Sequence, residues 1–110
     1  MAPKKPTDLL HGTLDVLILK ALTMGPLHGY AVARWIEART SGLLEVEDAA
    51  LYKALHRLEG QGAVESDWGI SESNRKAKYY QLTRAGRRLM RAEARVWKRY
   101  AGAVAAVLEA

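Results

Sequence analysis

The spacing of the apolar residues changes at Gly62, and this change limits the folds open to the chain. Over residues 47–61 the leucines recur every three or four positions, as they do on one face of a helix. Residues 63–82 are extended in character at both ends, with turn residues between them and a rough two-residue alternation in the second half. The pattern therefore predicts a helix followed directly by a two-stranded β-hairpin.

The segment 47–61 is predicted to form a helix with two different faces. One face is a stripe of leucines that can be buried: Leu51, Leu55 and Leu58. The other face is basic, aromatic and rich in hydrogen-bond donors: Tyr52, Lys53, His56, Arg57 and Gly60. Glu47 and Asp48 at the start are expected to cap free N–H groups. The alternative is an ordinary amphipathic helix whose polar face is only solvated. The elements next to this helix are needed to choose between a recognition surface and a solvated face.

Two more helices are predicted before this segment. The first begins at Thr7 or Asp8, runs to about Met24 and is apolar around most of its circumference. Such a helix must be buried on more than one side, and one small core cannot cover it. A second copy of the chain is the expected cover, which indicates a dimer.

The second helix is predicted from about His28 to Thr40, after a turn at Gly25-Pro26. Its inward residues are expected to be Tyr30, Ala33 and Ile36, with Val32 and Trp35 as further candidates. Residues 43–46 form a short link and a candidate edge strand.

The last helix is predicted to start at a Thr83 cap and to continue to Leu108. Apolar residues follow it at three- and four-residue spacing: Leu89, Ala92, Val96, Tyr100, Ala103 and Val107. Its outer face carries cations: Arg84, Arg87, Arg88, Arg91, Arg95, Lys98 and Arg99. A long terminal helix with an apolar stripe and nothing after it to pack on is typical of a dimerisation arm.

The composition favours an acidic partner. The chain of 110 residues carries a formal charge of +5, and its isoelectric point is about 9.7. Nucleic acid is the commonest acidic partner, and a membrane surface is second. No apolar run reaches the roughly 18 residues of a membrane span. The absence of cysteine excludes disulfides and fits a cytoplasmic location. Residues 1–7 are predicted to form a flexible basic arm.

Three helices, a hairpin and a fourth helix form the layout of a winged helix-turn-helix protein: mainly α with a β-hairpin. Residues 8–82 would be the DNA-binding domain and residues 83–110 the dimerisation helix. In this fold the third helix enters the major groove and the hairpin, or wing, meets the backbone or minor groove. The candidate DNA-binding residues are therefore Tyr52, Lys53, His56, Arg57, Asn74, Arg75, Lys76 and Lys78. Arg57 is the best candidate for a bidentate guanine contact, and an ion pair with Glu59 is its alternative.

The chain also resembles the PadR family of bacterial transcriptional regulators over roughly residues 8 to 90. The resemblance rests on four blocks in order: LLHGTLDVLILKAL, GPLHGYAVARWIE, LYKALHRLEGQGAVESDWG and NRKAKYYQLTRAG. It implies a compact homodimeric winged-helix repressor whose first and last helices interlock with those of the partner. Ala49-Ala50 replaces the family's usual Gly-Ser or Gly-Thr before Leu51-Tyr52, and Lys53 replaces its proline. The operator sequence therefore cannot be transferred from relatives.

The same resemblance bears on Trp97. Some drug-sensing members of the family place a tryptophan at the dimer centre, where two rings sandwich a flat aromatic ligand. The resemblance implies an effector pocket at the dimer interface around Trp97, Leu14, Val96 and Tyr100. Simple packing of a large aromatic in an interface is the alternative. Trp35 and Trp68 are assigned to packing.

Enzymatic and metal-dependent functions are not expected. The histidines do not have the spacing of metal ligands, and no nucleophile is arranged with a base and an orienting partner. No cofactor is predicted. The predicted function is therefore a DNA-binding regulator that a small aromatic effector relieves. The alternative is a winged-helix module that binds protein without specific DNA binding.

Overall fold

The computed structural model describes residues 13–110, so the predicted basic arm and the predicted Thr7 or Asp8 cap lie outside the described residues. The helices are α1 (Leu14–Ala21), which a 3-10 turn at Leu22–Met24 extends, α2 (Gly29–Arg39), α3 (Asp48–Gly60) and α4 (Arg84–Leu108). The strands are β1 (Leu27–His28), β2 (Val64–Ile70) and β3 (Lys76–Leu82). This order confirms the predicted fold class.

One apolar core joins the first three helices to the base of the hairpin. The α3 leucines Leu51, Leu55 and Leu58 are fully buried, as their spacing predicts. They meet Ile18 of α1, Ile36 of α2 and the first residues of the hairpin. Each such side chain contributes about 1.5–3 kcal/mol by leaving water, so this core holds the opposite, polar face of α3 outward.

The three strands form an antiparallel sheet in the order β1-β3-β2. Leu27 pairs with Tyr80, which places the start of α2 beside the hairpin. The candidate strand at residues 43–46 is not a strand. Two of its backbone N–H groups donate to side chains instead, since Leu44 donates to Thr40 Oγ1 and Val46 donates to Glu37 Oε2.

Among the helices of residues 13–110, side chains cap α2 and α4, and the Thr83 cap of α4 is the one that the sequence predicts. Thr83 Oγ1 accepts a hydrogen bond from the Gly86 N–H at 3.0 Å, and His28 Nδ1 accepts one from the Ala31 N–H at 3.1 Å. The expectation that Glu47 caps α3 is wrong, since its side chain makes no capping bond. Asp48 lies in the first turn of that helix, where its charge meets the positive end of the helix dipole.

A close contact fixes the start of α4 to the body of the protein. A Cβ built on Gly86 would lie 1.9 Å from the carbonyl oxygen of Ala63, so only glycine allows this approach. Along the rest of α4 the apolar side chains are largely exposed, including Val96, Tyr100 and Val107. The helix of 25 residues extends well beyond the core that holds its first turns.

Candidate nucleic-acid interface

The outer face of α3 is open to solvent. Lys53, His56 and Arg57 are exposed, and Tyr52 is about half exposed, while the leucines one helical face away are buried. No helix within residues 13–110 is both long and apolar enough to cross a membrane. Because its polar side chains are exposed, the face of α3 that the sequence predicts for recognition is accessible to a ligand.

Tyr52 is seated against the first residue of α2. A Cβ added to Gly29 would lie 2.7 Å from the Tyr52 hydroxyl oxygen, so the ring occupies space that any other residue would need. This close approach fixes the ring of Tyr52 beside the start of α2. Tyr52 also lines an open cleft.

That cleft separates α3 and the start of α2 from the hairpin. It has a volume of about 1100 Å³ and is called the wing cleft below. Its side chains on the helix side are those of His28, Tyr30 and Tyr52, and on the hairpin side those of Trp68, Arg75, Lys76 and Lys78. Four of the predicted DNA-binding residues, namely Tyr52, Arg75, Lys76 and Lys78, therefore line one cavity. Lys53, His56 and Arg57 do not line it and lie elsewhere on α3.

Arg57 is engaged within the subunit. Its Nη2 lies 2.5 Å from Oδ1 of Asp15 on α1, 42 residues away in sequence. The expected alternative partner, Glu59, is occupied elsewhere: it accepts a hydrogen bond from Ser66 Oγ at 2.5 Å and lies 3.9 Å from Lys78 Nζ. Both members of the Arg57–Asp15 pair are partly exposed, at 51% and 38% of their side chains, so a phosphate can compete for the guanidinium.

Asn74 shapes the turn of the hairpin. Its φ of 60° lies in the left-handed region, which asparagine tolerates better than most residues. Its N–H donates to the Ser71 carbonyl at 2.9 Å, and the Ser71 N–H donates to the Arg75 carbonyl at 2.8 Å. These bonds give Asn74 a structural role in presenting Arg75 and Lys76, whatever else its side chain contacts.

Two aromatic residues differ from the expectations of the sequence. Tyr30 is 62% exposed, so the expectation that it faces inward is wrong; it lies near the His28 ring, with Arg34 5.2 Å from its centroid. The assignment of Trp68 to packing is also wrong, since this residue is 60% exposed. The assignment of Trp35 is confirmed because it packs against the core.

The candidate effector residues divide between two environments. Val96, Trp97 and Tyr100 are exposed on α4. Leu14 is instead buried in the core, because helical spacing puts it on the same face as Ile18, and this corrects its assignment to a pocket. Trp97 lines a groove of about 550 Å³ between α1 and α4, together with Val16, Leu17, Lys20, Leu44, Met90, Arg91, Ala94, Arg95 and Lys98 among others.

Charge in the cleft is mostly positive. The residues that line the cleft include one carboxylate, Glu72, and three cations of the hairpin, Arg75, Lys76 and Lys78. Deeper in the same wall, burial raises the pKa of the Tyr80 phenol, and the nearby Glu59 carboxylate and Tyr52 add to this rise. Across residues 13–110, no cluster of three histidine or carboxylate side chains has the arrangement of a metal site.

A three-helix core with a β-hairpin beside an exposed third helix is the winged helix-turn-helix architecture. Residues 18–92 match the family model described as the transcriptional regulator PadR-like family. The chain therefore belongs to the PadR-like family of transcriptional regulators, and its class is that of a regulator rather than an enzyme.

Solved structures have the same fold. A PadR family transcriptional regulator from Eggerthella lenta is 32% identical, with a TM-score of 0.77 and coverage of 93% of this chain and 87% of that one. A transcriptional regulator from Clostridium thermocellum is 28% identical, with a TM-score of 0.79 and coverage of 88% and 94%.

Two relatives known from their sequences differ in how much of their own length matches this chain. Uncharacterized protein X of Lysinibacillus sphaericus is 29% identical over 91 residues, which are 83% of this chain and 84% of the relative. A transposon protein of Streptomyces fradiae is 40% identical over 90 residues, and the match spans 24% of that longer protein.

Proposed function

We propose that the protein is a homodimeric, sequence-specific DNA-binding regulator that acts as a repressor. The observation that carries this proposal is the wing cleft, where Tyr52 of α3 faces three cations of the hairpin across one cavity. Two consecutive elements can therefore meet one polyanion at the same time. Affinity is then dominated by phosphate neutralisation, and base contacts from α3 supply the sequence specificity.

In this proposal α3 enters the major groove. Its 13 residues span about 20 Å at 1.5 Å per residue, and an α-helix fits the roughly 12 Å width of that groove. Lys53 and His56 project from the exposed face toward base edges or phosphates. Arg57 reaches a guanine or a phosphate by exchanging the Asp15 carboxylate for the DNA acceptor.

The hairpin is proposed to lie along the DNA backbone at the adjacent minor groove. Arg75, Lys76 and Lys78 supply the positive charge, and Asn74 holds the turn that presents the first two. Each phosphate that these cations neutralise releases counterions, so the logarithm of affinity falls by about 0.9 per contact for each unit of log salt.

Dimerisation is proposed to occur through α4, with residues 83–110 as the dimerisation segment and residues up to 82 as the DNA-binding domain. The exposed apolar side chains of α4 support this arrangement, because a contiguous apolar stripe of this length is unusual on the surface of a monomer. They include Val96, Tyr100, Val104, Val107 and Leu108. Two α3 helices related by a two-fold axis would read half-sites separated by about 34 Å, one turn of DNA.

The groove beside Trp97 is proposed to accept a flat aromatic effector. Its floor is apolar, and Lys20, Arg91, Arg95 and Lys98 stand among its lining residues, which favours a ligand that carries negative charge. A ligand that binds one dimer geometry more tightly shifts the spacing of the two α3 helices and weakens operator binding. Titration of anionic and cationic aromatic dyes against Trp97 fluorescence tests this part separately.

Selection of bound sequences from random duplex DNA is the experiment that tests the proposal. We expect a pseudo-palindromic site, and we expect gel shifts to prefer that site to random duplex. Arg57→Ala and Lys76→Ala should weaken binding. The matched control is Arg39→Ala, which removes a cation at the opposite end of α2 from the wing cleft.

The result separates DNA binding from the alternative, a protein-interaction module. Equal affinity of the wild-type protein for selected and random duplexes would exclude sequence-specific recognition. Transcription in vitro from a template that carries the selected site then distinguishes repression from activation, since a repressor lowers the transcript yield.

A further inference from the structure

The indole of Trp68 is exposed in a position that the packing of the subunit does not require. Its side chain is 60% exposed, and it lies on the hairpin rather than over the core. Exposed tryptophans are uncommon, and large aromatic side chains are enriched where proteins contact their partners. The position of the ring within the hairpin indicates which partner it meets.

The register of the hairpin places Trp68 on the face that looks into the wing cleft. Trp68 pairs with Lys78, and two positions closer to the core Ser66 pairs with Tyr80. Side chains at alternate pairs share a face of a hairpin, and Tyr80 on that face is buried. Trp68 therefore continues the core-facing side of the wing beyond the point where the core ends.

One cation contacts this ring, and a second lies opposite it in the strand register. The Nζ of Lys76 lies 5.0 Å from the centroid of the Trp68 ring, within the range of a cation–π contact. Lys78 stands opposite in the register and also lines the cleft. The two lysines and the ring thus form one surface that offers positive charge beside a flat apolar face.

The opposite side of the cleft repeats this combination. The rings of His28, Tyr30 and Tyr52 line it, and Tyr30 lies beneath the Arg34 guanidinium at 5.2 Å. A ligand that alternates negative charge with apolar surface matches both sides. A deoxyribose–phosphate strand has this chemistry, because each phosphate is followed by an apolar sugar edge.

We propose that Trp68 is a DNA-contact residue, which packs its indole against the deoxyribose edges of the strand that passes between α3 and the wing. This inference rests on the proposed function and adds to it a contact that carries no charge. The wing then binds through two separable contributions: Lys76 and Lys78 neutralise phosphates, whereas Trp68 supplies an apolar contact.

Salt dependence separates these contributions. Trp68→Ala should weaken operator binding by about 5-fold or more, with the roughly 160-fold loss of a full aromatic–base stack as the upper bound. The slope of log affinity against log salt should stay unchanged, because no phosphate contact is lost. Lys76→Ala should instead reduce that slope by about 0.9. Trp68→Phe keeps a ring and should lose less affinity than Trp68→Ala.

Ile70→Ala is the matched control for the apolar face. Ile70 lies on the same face of β2, is similarly exposed and does not line the cleft. We expect its affinity for the operator to stay within about two-fold of wild type. An Ile70→Ala loss equal to that of Trp68→Ala would overturn the assignment to the cleft. Thermal melts of each variant check that the fold is retained.

Fluorescence supplies a direct measurement. The sequence holds three tryptophans, so Trp35→Phe with Trp97→Phe leaves Trp68 as the single indole. We expect its emission to change on addition of operator duplex and its quenching by acrylamide to fall. Unchanged emission, together with unchanged affinity of Trp68→Ala, would overturn the inference while leaving DNA binding intact. Failure of wild-type protein to prefer the operator would instead overturn the proposed function and this inference with it.

Discussion

Replacing Asp15 with asparagine separates two roles that the structure allows for Arg57. The ion pair between Asp15 and Arg57 joins α1 to α3, with 2.5 Å between Oδ1 and Nη2. Both side chains are partly exposed, at 38% for Asp15 and 51% for Arg57. Exposed ion pairs contribute about 0.2–1 kcal/mol. Asp15→Asn should therefore lower the free energy of unfolding by at most about 1 kcal/mol, a fall in Tm of roughly 4–8 °C for a domain of this size.

The effect on DNA binding should have the opposite sign. In the free protein the Asp15 carboxylate competes with DNA for the guanidinium, so its removal should strengthen binding by the same energy, about 1.4- to 5-fold. Arg57→Ala should weaken operator binding by about 1–3 kcal/mol if the guanidinium reads guanine. In the double variant the gain from Asp15→Asn should vanish, because no guanidinium remains to be released.

Fluorescence anisotropy with selected and random duplexes at several salt concentrations measures these changes, and thermal melts measure stability. Glu47→Gln is a suitable control, since Glu47 is exposed at the start of α3 and makes no capping bond. The reasoning is refuted if Asp15→Asn weakens operator binding as strongly as Arg57→Ala. Arg57 would then act only by holding α3 against α1.

Three further predictions concern the scaffold. Gly86→Ala should destabilise the protein by about 3 kcal/mol or more in a denaturant titration, because its Cβ would lie 1.9 Å from the Ala63 carbonyl oxygen; Gly102→Ala, with nothing within 4 Å, should gain up to about 1 kcal/mol of helix propensity. Burial raises the pKa of Tyr80 above 10.0, so stability that is present below about pH 10 should fall as pH rises through the folded-state pKa; a Tyr80→Phe variant that still shows the same alkaline loss would contradict this cause. Tyr100→Asp should yield a folded monomer in analytical ultracentrifugation, and a dimer of unchanged affinity would exclude the α4 interface.

Periodicity predicted the elements whose apolar residues recur at short, regular intervals. The leucines of α3 and the alternation of the hairpin were sufficient to locate both, and Thr83 was recognisable as a cap from its residue type and position. In contrast, β1 has two residues and no period of its own. It exists because the edge of β3 lies beside Leu27 and His28 in the folded chain.

The candidate site divides in the same way. Residue type and order identified Tyr52, Lys76 and Lys78 as candidates, and their shared cleft agrees with that choice. The exposure of Trp68 could not be predicted from the sequence. Alternation in a strand shows which face of the hairpin a side chain is on, but it does not show how far the core extends along that face. Only the folded hairpin shows that Trp68, which pairs with Lys78 two positions beyond the buried Tyr80, extends past the covered part of that face.

By itself the sequence determined the helix and strand types, the apolar faces and the excess of positive charge, because these depend on neighbours within a few residues. Only the tertiary structure decided that Arg57 meets Asp15 across 42 residues, that Tyr52 rests on Gly29, and that Leu14 is buried. Such contacts depend on how whole helices pack against one another. Side-chain shape at the crossing points sets that packing, and no local spacing in the chain records it.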